Sequence, residues 1–485
     1  MVAGAALSLG RLVTAAQTRS PNDTIQVAVI GMGDTKAVGG VGGRGHQLIP
    51  RLLEVPGVKI VALCDVDPSF IDRELAPFKK RGESPATYND LRRVFEDKSI
   101  DAVVLAVPNH WHALATVWAC QAGKDVYVEK PFCYDLWEGQ QMLAAARKHG
   151  RMLQVGTQNR ASKFLARTFD YLHGGDLGAI RFAHALVYRP REGIGNVTAP
   201  TQPPAGVDYD LWCGPAPKGP LMRKQLNYEW HWFWDTGNGE MGNNGIHVID
   251  ICRWALSQNS TPPRTISIGG RLGFNDCGQT ANTHIGFFDY QPAPLICEVR
   301  NLSTDKKGES IGSYRDRKQG VIIDCEGGYF AGDAAGGAIF DKEGKKMKEL
   351  TSEETFNGLE TAHLTSFAKA VRSRNAEDLT ASGLEGYRST ACCHLANVSH
   401  RLGKQLPADE IQSSVKSSVE LSDAFERCRA YLKENGVDLA TEHATLGPWV
   451  SFDSARDRFV QDFAKEANKL SHRSYRKPFV VPHLA

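Results

Sequence analysis

The chain has 485 residues, of which 42% are hydrophobic and 23% charged, and its formal net charge is +2. That length exceeds one ordinary core, so two domains or one large composite are expected. Near-neutrality argues against the concentrated cationic face that nucleic acid binding requires, and no apolar run reaches the roughly 18 residues that cross a bilayer.

The 11 cysteines include no C-x-x-C pair, so neither zinc nor a disulfide framework is indicated, and no metal site is expected. The opening "MVAGAALSLGRLVTAAQTRS" is small, apolar and Ala-rich. It resembles the later part of an export signal without a positively charged start. Two readings of residues 1–22 stand. A truncated export signal implies a periplasmic protein, and a leader without structure implies a cytoplasmic one.

A hydrophobic strand at 27–30 runs into Gly31-Met32-Gly33, but Lys36 stands where a G-x-G-x-x-G turn needs its third glycine. Further on, "GVGGRG" from Gly40 to Gly45 fits that pattern, yet no strand enters it. Next come a helix, a turn at Pro56-Gly57, and a strand at 58–64 ending in Asp65. This order is that of a dinucleotide-binding βαβ unit. Glycines let the backbone approach a pyrophosphate, and a helix start offers it free N–H groups. The terminal acid suits the ribose hydroxyls of NAD and repels the 2′-phosphate of NADP; Asp67 is a second candidate for that contact. The two glycine clusters become one loop if "DTKAVGGV" is an insertion. Gly31 and Gly33 then make the turn off the strand, and Gly43-Arg44-Gly45 opens the helix beneath the phosphates. The insertion is expected either to cover the pyrophosphate or to extend into solvent.

Strands follow at 102–106, at 125–128 and within "RMLQVGTQNR", with helices between them. Such alternation predicts a parallel, doubly wound sheet whose ligands sit at the strands' carboxyl ends. The polar groups at those ends are Asp65, then Asn109-His110-Trp111-His112 after Pro108, Glu129-Lys130, and Gln158-Asn159-Arg160. They are expected to converge on one cleft.

At "VPNHWHA" and "YVEKPF" the chain resembles the Gfo/Idh/MocA oxidoreductases, and the likeness continues through "WFWDTGNGEMGNNGIHVIDICRW", "HLTSFAKAVRSR" and "HLANVSHRLGK". It covers about residues 24–404. The resemblance implies an NAD-binding Rossmann domain, placed at 23–155. It also implies an α+β domain with an open, mainly antiparallel sheet, placed at 156–440, for substrate binding and homo-oligomer contact. The β-rich stretches "TISIGGRLGF", "ANTHIGFFDY", "PLICEVRNL" and "GVIIDCEGGYFAG" agree with it. Helices are expected at 362–374 and 383–402, and residues 441–485 are expected to strap onto the body or a neighbouring subunit.

Oxidising a secondary alcohol needs a base for the hydroxyl proton and a dry site that holds the alcohol in place. Lys130 is the first candidate base, because a lysine beside a cationic ring is pushed toward its neutral form. Pro131 stiffens its turn, and a cis Lys130–Pro131 bond is expected. Glu129 is expected to bond a ribose or to hold Lys130. His247 is the second titrating candidate. The family pattern D-x-G-x-H has an acid four residues before this imidazole, where the chain has Asn243. Asn cannot accept a proton, so it is assigned an orienting role. "NYEWHWFWDTG" gathers Tyr228, Trp230, His231, Trp232 and Trp234, which suit either a sugar-stacking wall or strand core. Arg160, Arg189 and Arg191 are candidates for binding substrate hydroxyls or a carboxylate. Pro108, Asn109, His112 and Gln158 are assigned to the cofactor side, and His110 is a further candidate beside the nicotinamide.

Three functions fit the residues. The leading one is NAD-dependent hydride transfer from a secondary hydroxyl of a sugar, cyclitol or glycoside. The second is glycoside cleavage through transient oxidation and elimination. The third is non-catalytic sensing of a dinucleotide or sugar.

Overall fold

Short apolar segments that are buried on both faces favour a parallel sheet covered by helices. The computed structural model describes residues 24–485 except 41 and 306, so the leader segment lies outside the described residues. Five such segments and one exposed edge strand, β3 (Ala86–Tyr88), form the first sheet; the five are β1 (Ile25–Ile30), β2 (Val58–Cys64), β4 (Ala102–Leu105), β5 (Asp125–Val128) and β6 (Leu153–Val155). Their order is β3-β2-β1-β4-β5-β6, and all pairings are parallel. Helices α1 (Arg44–Leu52), α2 (Pro68–Lys80), α3 (Leu91–Glu96), α4 (His112–Gln121) and α5 (Leu136–His149) alternate with these strands. The strand order reverses between β1 and β4, which opens a crevice at the carboxyl ends of both.

The chain then runs through α6 (Lys163–His173), β7 (Ile180–Tyr188), α7 (Tyr209–Cys213) and α8 (Ile246–Ala255). A second, mainly antiparallel sheet follows. Its strands include β8 (Arg264–Gly270), β9 (Thr283–Phe288), β10 (Leu295–Arg300), β11 (Gln319–Cys325), β12 (Gly328–Asp333), β13 (Gly336–Asp341) and β14 (Lys346–Thr351), with β7 between β11 and β10, and strands from the chain's last part extend it beside β8. The four β-rich stretches read from the sequence correspond to β8, β9, β10 and the β11–β12 hairpin, whereas β7, β13 and β14 are additional. One sheet face packs on α6 and α8 through Phe169, Ile249, Cys252 and Val321.

Helices α9 (Phe356–Ser373) and α10 (Gly383–Leu402) return toward the first sheet. Leu364, Phe367 and Val371 pack with Val27 and Leu48, and Ala391 and Leu395 pack with Val126 and Phe132. Short strand β15 (Lys404–Leu406) precedes α11 (Ala408–Val415) and α12 (Val419–Glu434). These two helices cover the other face of the large sheet through Ile411, Phe425, Tyr431 and Leu432, set against Ile268, Phe287 and Ile322. That face of the sheet is thus covered by the chain's own helices. The final strands β16 (Ala444–Leu446), β17 (Val450–Asp453) and β18 (Arg458–Val460) lead to α13 (Ala464–Leu470) and the last residues. Phe452, Phe459, Ala467 and Phe479 join the first domain's core, where the Phe479 ring meets Trp111 edge-on at 5.5 Å.

Candidate active site

The glycine question resolves locally. Gly31 has φ +88°, and a Cβ there would lie 2.6 Å from the Ala106 carbonyl oxygen. The two glycine clusters are in direct contact: His46 N–H donates to the Met32 carbonyl at 3.0 Å, and a Cβ on Gly45 would sit 1.9 Å from the Gly31 oxygen. One loop therefore crosses the start of α1, as the insertion reading expects. No side chain among the described residues caps that helix start, which leaves the cradle open to an anion. Gly31, Gly33, Gly43 and Arg44 line a cleft of about 730 Å³, whereas Gly45 lies behind it and serves close helix–strand packing.

Over its described residues, 34–40, the insertion borders the cleft on one side and exposes Lys36, Val38 and Gly39 on the other. Asp34, Ala37 and Gly40 line the cleft. Val38 N–H donates to Gln225 Oε1 at 3.1 Å, and Arg191 Nη1 donates to the Gly39 carbonyl at 2.8 Å. The loop thus bridges the two halves of the molecule.

At the end of β2, Asp65 accepts the Met32 and Asp67 N–H groups at 2.7 and 3.0 Å. Burial raises its carboxyl to about 6 against those bonds. Asp67, the second candidate for the ribose contact, also lines the cleft, while its Oδ1 caps α2, accepting from Ser69 N at 2.9 Å. Pro108, Asn109, Glu129, Lys130 and Gln158 also line the cleft, and the buried Gln158 Oε1 has no partner among the described residues. Glycine cradle, terminal acid and orphan amide oxygen all fit a dinucleotide along this wall.

His112 and His110 do not belong to that wall. The His112 ring lies 2.9 and 2.7 Å from the carbonyls of Val107 and Pro131, behind the Lys130–Pro131 turn, whose peptide is cis. The His110 ring lies 2.9 Å from the Trp212 carbonyl and 3.4 Å from that of Thr236, and burial lowers it to about 3. Both rings are used structurally because the carbonyls around them need donors. Arg44 is not free for a ligand either, since its guanidinium pairs with Glu129 at 2.8 Å and with Glu360.

Lys130 faces a second wall of the cleft, which carries His247 and Asn243. Lys130 Nζ donates to the Asn243 carbonyl and to Asn243 Oδ1 at 2.8 and 3.1 Å. Burial lowers its amine to about 8, with Glu129 opposing and Arg44 assisting the shift. Burial, together with the Lys130 charge, lowers His247 to about 3, so its ring is neutral near pH 7. His247 Nδ1 is buried without a partner among the described residues.

Tyr228, Trp230, His231 and Asn243 line the same wall. The aromatic segment is a 3-10 turn, Glu229–Trp232, rather than a strand; Trp232 is turned inward, with the Arg271 guanidinium 4.7 Å from its ring. The three arginines separate clearly. Arg160 does not reach the cleft, because it is spent on Asp250 at 2.8 and 2.9 Å. Arg191 is spent on Glu240 at 2.9 Å. Arg189 lines the cleft.

Glu240 is the residue that sequence reasoning missed. It is fully buried, three residues before Asn243, so a carboxylate is present although position 243 has none. Burial would raise it, but Arg191, His231 and Asn243 outweigh that and hold it at about 2. Its signal was a single charge inside the uncharged run "TGNGEMGNNGIH".

Two descriptions match the chain in order: "Oxidoreductase family, NAD-binding Rossmann fold" over residues 25–157, and "Oxidoreductase family, C-terminal alpha/beta domain" over 192–290. An inositol 2-dehydrogenase of Salmonella typhimurium is 30% identical over 151 residues, 31% of this chain and 44% of that one. A glycosyl hydrolase family 109 protein of Saccharopolyspora erythraea is 30% identical over 180 residues, 35% of this chain and 37% of that one. The chain thus spans less than half the length of these curated relatives. Among solved structures, the WlbA dehydrogenase of Bordetella pertussis, in complex with NADH and UDP-GlcNAcA, superposes with a TM-score of 0.56 at 16% identity, covering 78% of this chain and 96% of that one. With both descriptions matched in order on the expected two-sheet fold, the matched segments, 25–157 and 192–290, are those of the Gfo/Idh/MocA oxidoreductase family.

Proposed function

We propose that the protein is an NAD-dependent oxidoreductase acting on a secondary hydroxyl of a sugar, cyclitol or glycoside. The observation that carries this reading is Lys130: an amine held near 8 between the dinucleotide wall and the aromatic wall of one cleft. Bound nicotinamide would supply the hydride acceptor. Lys130 takes the hydroxyl proton at Nζ when neutral and returns it in the reverse direction. His247, neutral and with a free Nδ1, accepts a hydrogen bond from a neighbouring substrate hydroxyl. Tyr228 and Trp230 offer ring faces to the C–H surface of a sugar, and Arg189 is placed to meet a hydroxyl or carboxylate. The Asp65 carboxylate favours NAD, because a 2′-phosphate beside it would be a like charge.

Family 109 glycosyl hydrolases among the relatives keep a second reading open, in which oxidation is transient and the aglycone leaves by elimination. Incubation with NAD or NADP and a panel of sugars, cyclitols and glycosides separates the readings. NADH accumulation supports the dehydrogenase. Sugar release at constant NAD supports the cleavage route, and neither signal with any member contradicts both.

A further inference from the structure

Glu240 lies immediately before a π-helical turn, Met241–Gly245, that leads into α8. A carboxylate with 0% exposure needs partners on both oxygens. Oε1 accepts from Arg191 Nη2 at 2.9 Å and from Asn244 Nδ2. Oε2 accepts from Asn243 Nδ2 at 3.1 Å. The Asn243 NH₂ group is thereby held toward Glu240, with the Tyr228 hydroxyl oxygen also 3.3 Å from it. The other end of the same amide, Oδ1, therefore faces Lys130 Nζ, 3.1 Å away.

A neutral lysine amine has two N–H bonds and one lone pair. The Asn243 carbonyl and Oδ1 supply two acceptors for those N–H bonds. The lone pair is then left for a substrate hydroxyl. If the amide were reversed, its N–H would point at the lone pair and occupy it.

We propose that Glu240 is a positioning residue that locks the Asn243 amide with its oxygen toward Lys130 and so aims the lysine lone pair into the cleft. This rests on the reading of Lys130 as the base. Arg191 belongs to the same device, since it neutralises Glu240 and also holds the inserted loop at Gly39.

The geometry dictates a specific pattern of variants. In Glu240→Gln the single remaining oxygen goes to the Arg191 guanidinium, so the new NH₂ faces Asn243 and turns that amide over. In Asn243→Asp two buried carboxylates oppose each other and share a proton. The double variant Glu240→Gln/Asn243→Asp satisfies every group again: Gln accepts from Arg191 and donates to Asp, and Asp accepts from Lys130.

The test is competitive labelling of the holoprotein with trace acetic anhydride across pH, with Lys130 followed by peptide mass spectrometry. It needs no substrate. Glu240→Gln is expected to lower the Lys130 midpoint by about one unit, more than the same substitution does in an Asn243→Ala background, where only the Glu240 charge is lost; equal shifts in the two backgrounds overturn the proposal, and the double variant Glu240→Gln/Asn243→Asp is expected to return the midpoint to or above the wild-type value. Should Glu240→Gln fail to fold, Asn243→Ala removes the Oδ1 acceptor with the Glu240–Arg191 pair intact, and the midpoint is again expected to fall. An unchanged midpoint in the folded variants overturns the proposal. With an oxidisable alcohol in hand, each single substitution is expected to cost at least about tenfold in kcat and the double to recover most of it; losses that multiply in the double also overturn it. Failure of the enzyme reading would appear instead as no turnover of any alcohol with the labelling pattern intact.

Discussion

Lys130 can act as a base only while its amine is neutral, and burial brings that condition within reach at about 8. In the proposed reaction the base form predominates above that value, so the alcohol oxidation rate is expected to rise as pH increases through about 8. The reverse reduction needs the protonated amine and is expected to fall through the same value; initial rates from pH 6 to 10 in both directions check this. Lys130→Met is expected to lower turnover about 10²–10⁴-fold and leave coenzyme binding in place. Lys130 and His247 were legible in the sequence because each sits in a short local pattern. Glu240 was not, because its meaning comes from Arg191, 49 residues away, and from the turn that folds Asn243 back onto it. His112 and Arg160 were misjudged for the same reason: the carbonyls and carboxylate that claim them are supplied by tertiary packing.

At the level of elements, the β1–loop–α1–β2 unit was readable from a buried strand, glycines and a terminal acid. The insertion made it harder to see, since two partial patterns had to be recognised as one loop. The packing that reunites them gives a direct prediction. Gly45→Ala places a methyl against the Gly31 carbonyl, so α1 must back away; coenzyme affinity is expected to fall at least tenfold, as measured by calorimetry. Residues 34–40 act differently, since they hold on to the second half of the molecule through Gln225 and Arg191. Deleting the insertion is expected to preserve the fold and to speed coenzyme dissociation several-fold, which stopped-flow fluorescence would detect. An unchanged dissociation rate would mean that the loop is not a cover.

Across the whole molecule, the two sheets were legible as classes, but the way they are fastened together was not. α9, α10 and the closing segment complete the first domain's core from residues more than 300 positions away from β1, a long-range relation that strand periodicity does not carry. Phe479 is 2% exposed among Trp111 and Trp118. Phe479→Ala is expected to cost about 3–5 kcal/mol of stability, read from the urea midpoint, although it lies far along the chain from any proposed site residue.

The central claim is that the coenzyme's reactive ring and the Lys130 amine share one cleft. A crystal structure with NAD bound tests it most directly. The account predicts the pyrophosphate over Gly31, Gly33 and Gly43, the adenosine ribose at Asp65, and the nicotinamide beside Lys130 and His247. A ring held elsewhere, with Lys130 facing only Asn243 and solvent, would contradict it.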